Sequence, residues 1–179
     1  MRLDKNSKVE LIATTDETRP HLLHPWLDVE AKVLVATDGT RLIKHPVVID
    51  DGDVSAFVSV VALKAARKLV PKKVAHLEIA VGVDHLTLIN GMTMPTPKSD
   101  LSFPPYEKVI PNYSNRETVT VGLDAKLLMG LCQALGGGKG GTAVRLTFPV
   151  KENGEVMLDP IVVEYMQSDA IGILMPSRP

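Results

Sequence analysis

The stretch ATDGTRL at residues 36–42 decides the local fold, because it places a tight turn between two apolar segments. The Asp38-Gly39 pair supplies the positive φ that a hairpin turn requires. A second stretch, FPPYEKVIP at residues 103–111, carries an aromatic residue and aliphatic residues among prolines that fix the backbone. The first stretch predicts antiparallel strands, and the second predicts an ordered connector.

Alternation of apolar and polar residues extends the strand pattern in both directions from the turn. The predicted strands cover residues 9–13, 26–30, 32–37, 41–49, 75–81, 85–90, 143–149, 156–165 and 170–175. Ser59 and Asp124 are suited to cap two helices, which end at Pro71 and at a glycine-rich turn over residues 136–141.

The order of these elements repeats along the chain. Each predicted helix is followed by two strands, which indicates an internal duplication of a β-α-β-β unit or two unrelated α+β pieces that share an order. The residues before the first helix contain only predicted strands, as in a third unit without its helix. We therefore expect an α+β fold with antiparallel sheets and few helices.

Composition limits the possible functions. The chain has 179 residues, 45% of them hydrophobic and 23% charged, and a formal net charge of -1, so DNA binding would require a local basic surface. The charged start MRLDKNSKVE is unlike a signal peptide, and no apolar run is long enough for a membrane helix. We expect a soluble, cytoplasmic protein without membrane contact.

No motif in the chain predicts an enzyme, a cofactor or a metal site. In GLCQALGGGKGGT at residues 130–142, Lys139 precedes Gly140 rather than Ser or Thr, unlike a phosphate-binding loop. His21, His24 and His45 lack the spacing of zinc ligands and lie in a segment that resembles a strand. The single cysteine, Cys132, excludes a disulfide within one chain and is expected to be a small core residue.

Basic residues are concentrated on the predicted outer face of the first helix and just after it. Two interpretations fit this cluster of charges. It is a solvated helix face, or it contacts DNA phosphates without recognising the bases. The candidate DNA-binding residues are Lys64, Arg67, Lys68, Lys72 and Lys73, with Lys126 and Lys139 near the second helix.

Several motifs, taken in order, resemble the bacterial sliding clamp, the beta subunit of DNA polymerase III. TDETRPHLL at residues 15–23 is similar to the segment that enters the first strand of the clamp's middle domain, and ATDGTRL and FPPYEKVIP follow it. VTVGLDAKLLMGLCQAL at residues 119–135 and the terminal GILMPSRP resemble the second half of the last domain. The resemblance implies a DNA clamp-like fold with two parts, residues 1–111 like the middle domain and residues 112–179 like the last half-domain.

The resemblance also implies a hydrophobic cleft that docks short linear motifs of polymerases and other replication proteins. Ser177 stands where the family usually has a methionine, which implies a smaller and more polar pocket. Alternatively, the chain retains these motifs for packing between domains rather than for peptide docking. The peptide-binding residues that the resemblance implies are Leu22, Thr37, Gly39, Arg41, Leu42, Pro104, Lys108, Val109, Ile173, Met175, Pro176, Ser177 and Arg178.

Two functions follow from the resemblance. The first is a processivity factor of DNA replication, a homo-oligomer that encircles double-stranded DNA without sequence specificity. A chain with so few repeated units fills such a ring only as several copies. The alternative is a clamp-fold peptide-binding module or decoy that does not encircle DNA.

Overall fold

The computed structural model describes residues 1–111, 121–134, 144–149, 159–165 and 171–176. The chain divides into two compact units, Met1–Pro111 and Asn112–Pro179, and each is described here by itself. Among the described residues, no helix has the length and apolar character needed to cross a bilayer.

The first unit consists of eight short strands and one α-helix. The strands are β1 (Arg2–Asp4), β2 (Trp26–Asp28), β3 (Val33–Thr37), β4 (Leu42–Pro46), β5 (Ala56–Phe57), β6 (His76–Val81), β7 (His85–Leu88) and β8 (Thr93–Pro95), and the helix is α1 (Val60–Leu69). Short 3-10 helices lie at Val9–Leu11, Pro20–Leu22 and Tyr106–Val109.

The strands of the first unit form two antiparallel sheets that exchange one strand each. One sheet has the order β1-β6-β7-β8, and the other has the order β4-β3-β2-β5. Strand β1 from the first half of the unit therefore pairs with β6 of the second half, and β5 pairs with β2. The two halves share the order strand, helical segment, three strands, and they complete each other's sheets.

One apolar core joins both halves. It includes Leu3 of β1, Leu34 of β3, Leu63 of α1 and Leu77 of β6, all buried. Helix α1 begins where the Ser59 hydroxyl accepts hydrogen bonds from the amides of Val61 and Ala62, as an N-cap does. Its buried residues lie on one side, as helical spacing requires.

Strand β3 is buried on both faces, which positions the connector at residues 103–111. Leu34 and Ala36 belong to the main core. Val33 and Val35 point to the opposite face and pack with Tyr106 in a second apolar cluster. The connector therefore lies against the back of the sheet, beside the β3–β4 turn.

The described part of the second unit contains a helix and a sheet. These elements are α2 (Ala125–Ala134), β9 (Val144–Thr147), β10 (Ile161–Tyr165) and β11 (Ile171–Leu174), and the strand order is β11-β10-β9. Leu131 packs over Gly172, where an added Cβ would lie 2.6 Å from its Cδ1 atom. The glycine-rich turn predicted at residues 136–141 lies outside the described residues.

Several predicted elements differ from the structure. The strand predicted at residues 9–13 is wrong, because Val9–Leu11 is a 3-10 helix in the place that α1 takes in the second half. The segment around His21 is likewise a 3-10 helix, Pro20–Leu22, rather than a strand. Strands β1, β5 and β8 are only two or three residues long, too short for alternation to reveal them.

Candidate functional site

The β3–β4 turn is held by its own side chains. The Thr37 hydroxyl donates to the Arg41 carbonyl at 2.7 Å and accepts from the Gly39 amide at 3.1 Å. Asp38 Oδ1 accepts from the amides of Thr40 and Arg41 at 2.9 and 2.7 Å. Gly39 has a φ of 90°, which favours glycine. The turn predicted from Asp38-Gly39 is present.

Asp38 also fixes the Arg41 side chain. Its Oδ2 atom accepts from Arg41 Nε at 2.9 Å and from Nη2 at 2.7 Å, a bidentate arrangement. Hydrogen bonds from the Arg41 backbone and side chain and from the Thr40 backbone hold the pKa of Asp38 well below its usual value. The carboxylate therefore stays charged at mildly acidic pH, and Arg41 keeps its orientation beside the turn.

Tyr106 anchors the connector to the sheet. Its ring is buried against Val33 and Val35, and its hydroxyl donates to Asp28 Oδ2 at 3.0 Å. Burial, and then the hydrogen bond to the Asp28 carboxylate, raises the pKa of Tyr106 to about 12. Phe103 packs edge-on to the Tyr106 ring, at 6.4 Å between ring centroids.

The turn, the connector and the 3-10 helix at Pro20–Leu22 enclose one cavity of about 510 Å³. All the predicted peptide-binding residues of the first unit line it, namely Leu22, Thr37, Gly39, Arg41, Leu42, Pro104, Lys108 and Val109. Leu22 comes from the 3-10 helix, not from an entering strand as predicted. The structure therefore brings together side chains that are far apart in sequence.

The cavity combines aliphatic walls with a basic edge. Leu22 is buried, Leu42 is half-buried, and the Val109 side chain is 68% exposed. Lys108 is exposed and has no ion-pair partner within the described residues. Thr37 is buried and its hydroxyl is used within the turn, so Arg41 and Lys108 are the charged groups at this edge.

Four further residues line the cavity that were not among the predicted peptide-binding residues: His21, Thr40, Pro105 and Tyr106. Tyr106 and Pro105 belong to the quoted connector, so the motif itself could have indicated them. The Nδ1 atom of His21 is buried and has no hydrogen-bond partner among the described residues. His21 could not be recognised from sequence, because its segment resembled a strand.

The remaining predicted peptide-binding residues belong to the second unit. Ile173 and Met175 are 55% and 58% exposed at β11 and just after it, and Pro176 is half-buried. Ser177 and Arg178 lie outside the described residues. Their part in peptide binding stays a prediction.

The predicted DNA-binding residues separate into two groups. Lys64, Lys68, Lys72, Lys73 and Lys126 are exposed, and Lys139 lies outside the described residues. Arg67 was predicted to lie on the solvent-facing side of α1, but its side chain is mostly buried. It donates to both carboxylate oxygens of Glu10, at 2.9 and 3.0 Å, and to the carbonyls of Lys5 and Ser7. Arg67 thus joins α1 to the other half of the unit.

The part of the chain that the structure describes contains no group of three or more His, Cys, Asp or Glu side chains placed to hold a metal ion. His24 lies beside the start of α1, where its Nδ1 accepts from the Val60 amide at 3.4 Å. Burial lowers the pKa of His24, which favours the neutral acceptor. His24 therefore supports the helix start.

Comparison with protein-family models and with curated protein sequences finds no match. Solved structures of bacterial sliding clamps are similar. The clamp of Caulobacter crescentus has a TM-score of 0.66 and 21% identity, over 98% of this chain and 50% of that chain. The beta subunit of Streptococcus pyogenes has a TM-score of 0.66 and 13% identity, over 99% and 50%. A clamp of Bartonella birtlesii, solved with griselimycin bound, has a TM-score of 0.59 and 16% identity, over 100% and 66%.

These similarities confirm the predicted α+β, DNA clamp-like fold. The chain spans about half the length of the Caulobacter and Streptococcus clamps that it matches. At these identities the likeness shows the fold, and the activity and partners of a complete clamp are not thereby carried to this chain.

Proposed function

We propose that this chain is a sliding-clamp-like protein of DNA replication that binds short linear peptides of polymerases or other replication proteins. The observation that supports this most is the cavity of about 510 Å³ between the β3–β4 turn and the connector. Its volume is within the range of small-ligand sites, and its lining is apolar with few polar groups, as in peptide grooves.

The cavity suits one or two aliphatic side chains of an extended peptide. Leu22, Leu42 and Val109 provide apolar contact area. Arg41 is already oriented by Asp38, so little side-chain entropy is lost when it donates to a peptide carbonyl or carboxylate. Lys108 adds a second positive charge at the edge.

Several of the similar clamps carry ligands. The Caulobacter clamp was solved with polyethylene glycol bound to a putative beta-motif tethering region, and the Bartonella clamp with griselimycin. We propose that the cavity of this chain is the corresponding peptide site. Griselimycin and a synthetic clamp-binding peptide from a replicative polymerase are therefore suitable probes.

A pair of matched variants tests this proposal. Val109 and Val83 are 68% and 67% exposed, so Val109→Asp and Val83→Asp both leave the core intact, but only Val109 lines the cavity. We expect Val109→Asp to weaken binding of the labelled peptide at least tenfold, measured by fluorescence polarisation, with Val83→Asp unchanged. Equal affinities for wild type and Val109→Asp would refute the site.

A second candidate function is the encirclement of DNA, which the exposed Lys64, Lys68, Lys72 and Lys73 favour. A ring remains on closed circular DNA and slides off linear ends, whereas simple phosphate binding does not distinguish the two. Retention on circular DNA alone, lost after linearisation, supports the ring. Peptide binding without such retention supports the alternative, a peptide-binding module or decoy.

A further inference from the structure

A second cavity, of about 580 Å³, adjoins the peptide cavity of about 510 Å³ in the first unit. Pro104, Pro105, Tyr106 and Lys108 of the connector line both cavities. The peptide cavity is lined by residues of the β3–β4 turn, which follows β3. The second, here called the β2 cavity, is lined by residues of β2 and of the loop that precedes β3. The connector is therefore a common wall of two neighbouring cavities.

Aromatic rings form one wall of the β2 cavity. The rings of Trp26 and Phe103 are nearly parallel, with 13° between their planes and 6.4 Å between their centroids, and Tyr106 adds a third ring. Trp26 and Phe103 are half-buried, so part of each side chain is accessible to a ligand. The faces of aromatic rings carry a negative partial charge and attract cations within about 6 Å of the ring centroid. This wall therefore suits a cationic group.

The charged residues around the β2 cavity are mainly acidic. Asp28, Glu30 and Glu107 line it, against one basic residue, Lys108. The Asp28 carboxylate is held in place, because its Oδ2 atom accepts from the Tyr106 hydroxyl at 3.0 Å. Glu30 is exposed and has no ion-pair partner in the part of the chain that the structure describes. The β2 cavity thus has an excess of negative charge, whereas the peptide cavity has a basic edge.

Lys44 shows within the molecule how a cation uses such groups. Its ammonium nitrogen lies 5.6 Å from the centroid of the Tyr106 ring and 3.9 Å from a carboxylate oxygen of Glu107. A ring and a carboxylate of the connector therefore already attract one cation, which partly neutralises Glu107. Glu30 remains, together with the rings of Trp26 and Phe103, for a cation that comes from a ligand.

We propose that the β2 cavity binds an arginine side chain of the same peptide whose apolar residues enter the peptide cavity. This inference rests on the proposed function and adds the chemistry of the partner: a basic residue close to the apolar motif. The common wall allows a short extended segment to reach both cavities. Arginine is favoured over lysine, because a planar guanidinium stacks on an aromatic ring while it donates to a carboxylate, and an ammonium is only a point charge.

Matched peptides test the proposal by fluorescence polarisation. In the labelled polymerase peptide, each residue that flanks the apolar motif is replaced in turn by arginine, by lysine and by glutamine. We expect one position where arginine raises the affinity about fivefold over glutamine, with lysine between the two. In Glu30→Gln this gain should fall below about twofold. It should persist in Glu78→Gln, which removes an exposed carboxylate of β6 outside both cavities.

The emission of Trp26 shows where the arginine binds. Trp26 is the only tryptophan of the chain, and it lines the β2 cavity but is not among the residues that line the peptide cavity. With unlabelled peptides free of tryptophan, the arginine peptide at saturation should quench this emission more than the glutamine peptide does. Equal emission with the two peptides would overturn the proposal.

The glutamine peptide separates this inference from the proposed function, because it needs only the peptide cavity. If the glutamine peptide binds and arginine adds no affinity at any position, the inference is wrong and the proposed function stands. An arginine gain of the same size in Glu30→Gln as in the wild type would also overturn the inference. If neither peptide binds, the proposed function is wrong as well.

Discussion

At the scale of single residues, the candidate site depends on the β3–β4 turn and on Tyr106. The Asp-Gly pair was recognisable from sequence because a hairpin turn imposes strict local conformations, and Gly39 has the expected positive φ. The Thr37 hydroxyl donates to the Arg41 carbonyl within the turn. This hydrogen bond could not be predicted from sequence, because it depends on the direction of the Arg41 carbonyl.

We predict that Gly39→Ala destabilises the protein by about 1 kcal/mol and weakens peptide binding. The φ of 90° disfavours an L side chain, and an added Cβ would lie 3.0 Å from Arg19 Nη1. The control is Gly52→Ala, where φ is 88° and nothing lies within 4 Å. Urea unfolding should show a similar loss for both variants, and only Gly39→Ala should lower peptide affinity. An equal effect of both on affinity would contradict the local role of the turn.

We predict that Tyr106 ionises near pH 12, well above the usual tyrosine pKa of about 10. The raised pKa means that the folded state holds this proton more tightly than the unfolded state does. The resulting stabilisation is complete below about pH 10 and is lost as the pH rises towards 12. Subtracting the ultraviolet pH titration of Tyr106→Phe from that of the wild type should isolate the ionisation of Tyr106. A difference titration with its midpoint at pH 10 would contradict a buried, hydrogen-bonded Tyr106 hydroxyl.

At the scale of secondary-structure elements, the start and end of helix α1 were predicted correctly, whereas the residues that contact it were not. Ser59 and Pro71 are local signals, whereas the neighbour of Arg67 is Glu10, far away in sequence. Because residues 9–13 were predicted to form a strand, Glu10 was not expected beside the helix. Arg67 was consequently assigned to the solvent-facing side.

We predict that Arg67→Ala lowers the free energy of unfolding by about 3 kcal/mol, since it leaves the buried Glu10 carboxylate without its partner. Lys64→Ala on the exposed side of α1 should change it by less than about 0.5 kcal/mol. Urea unfolding of the two variants checks this. A stability loss as small for Arg67→Ala as for Lys64→Ala would indicate that Arg67 is a free surface cation.

At the scale of the whole molecule, the sequence predicted the antiparallel α+β class and the repeated order of elements. It did not reveal the strand exchange of the first unit, because β1 and β5 are three and two residues long and pair with distant strands. The cavity residues of the first unit were anticipated through the resemblance of the motifs. Their convergence depends on Tyr106 docking on the back of β3, which no local pattern encodes.

The strand exchange predicts that the first unit unfolds as one cooperative body. Leu3→Ala removes a fully buried side chain of β1, and we expect a loss of about 2–5 kcal/mol. Native-state hydrogen exchange should then show β3 and β6 destabilised by the same amount, because both sheets depend on one core. A loss confined to β6 would show that the halves unfold separately.

Peptide binding at the cavity of the first unit is the central claim, and hydrogen exchange with and without bound peptide tests it most directly. With a clamp-binding peptide from a replicative polymerase at saturation, amides of Thr37–Leu42 and Tyr106–Val109 should exchange more slowly, because these residues line the cavity. Amides of β6 and β7 should be unaffected. Protection of β6 and β7 without protection of the turn and the connector would contradict the claim.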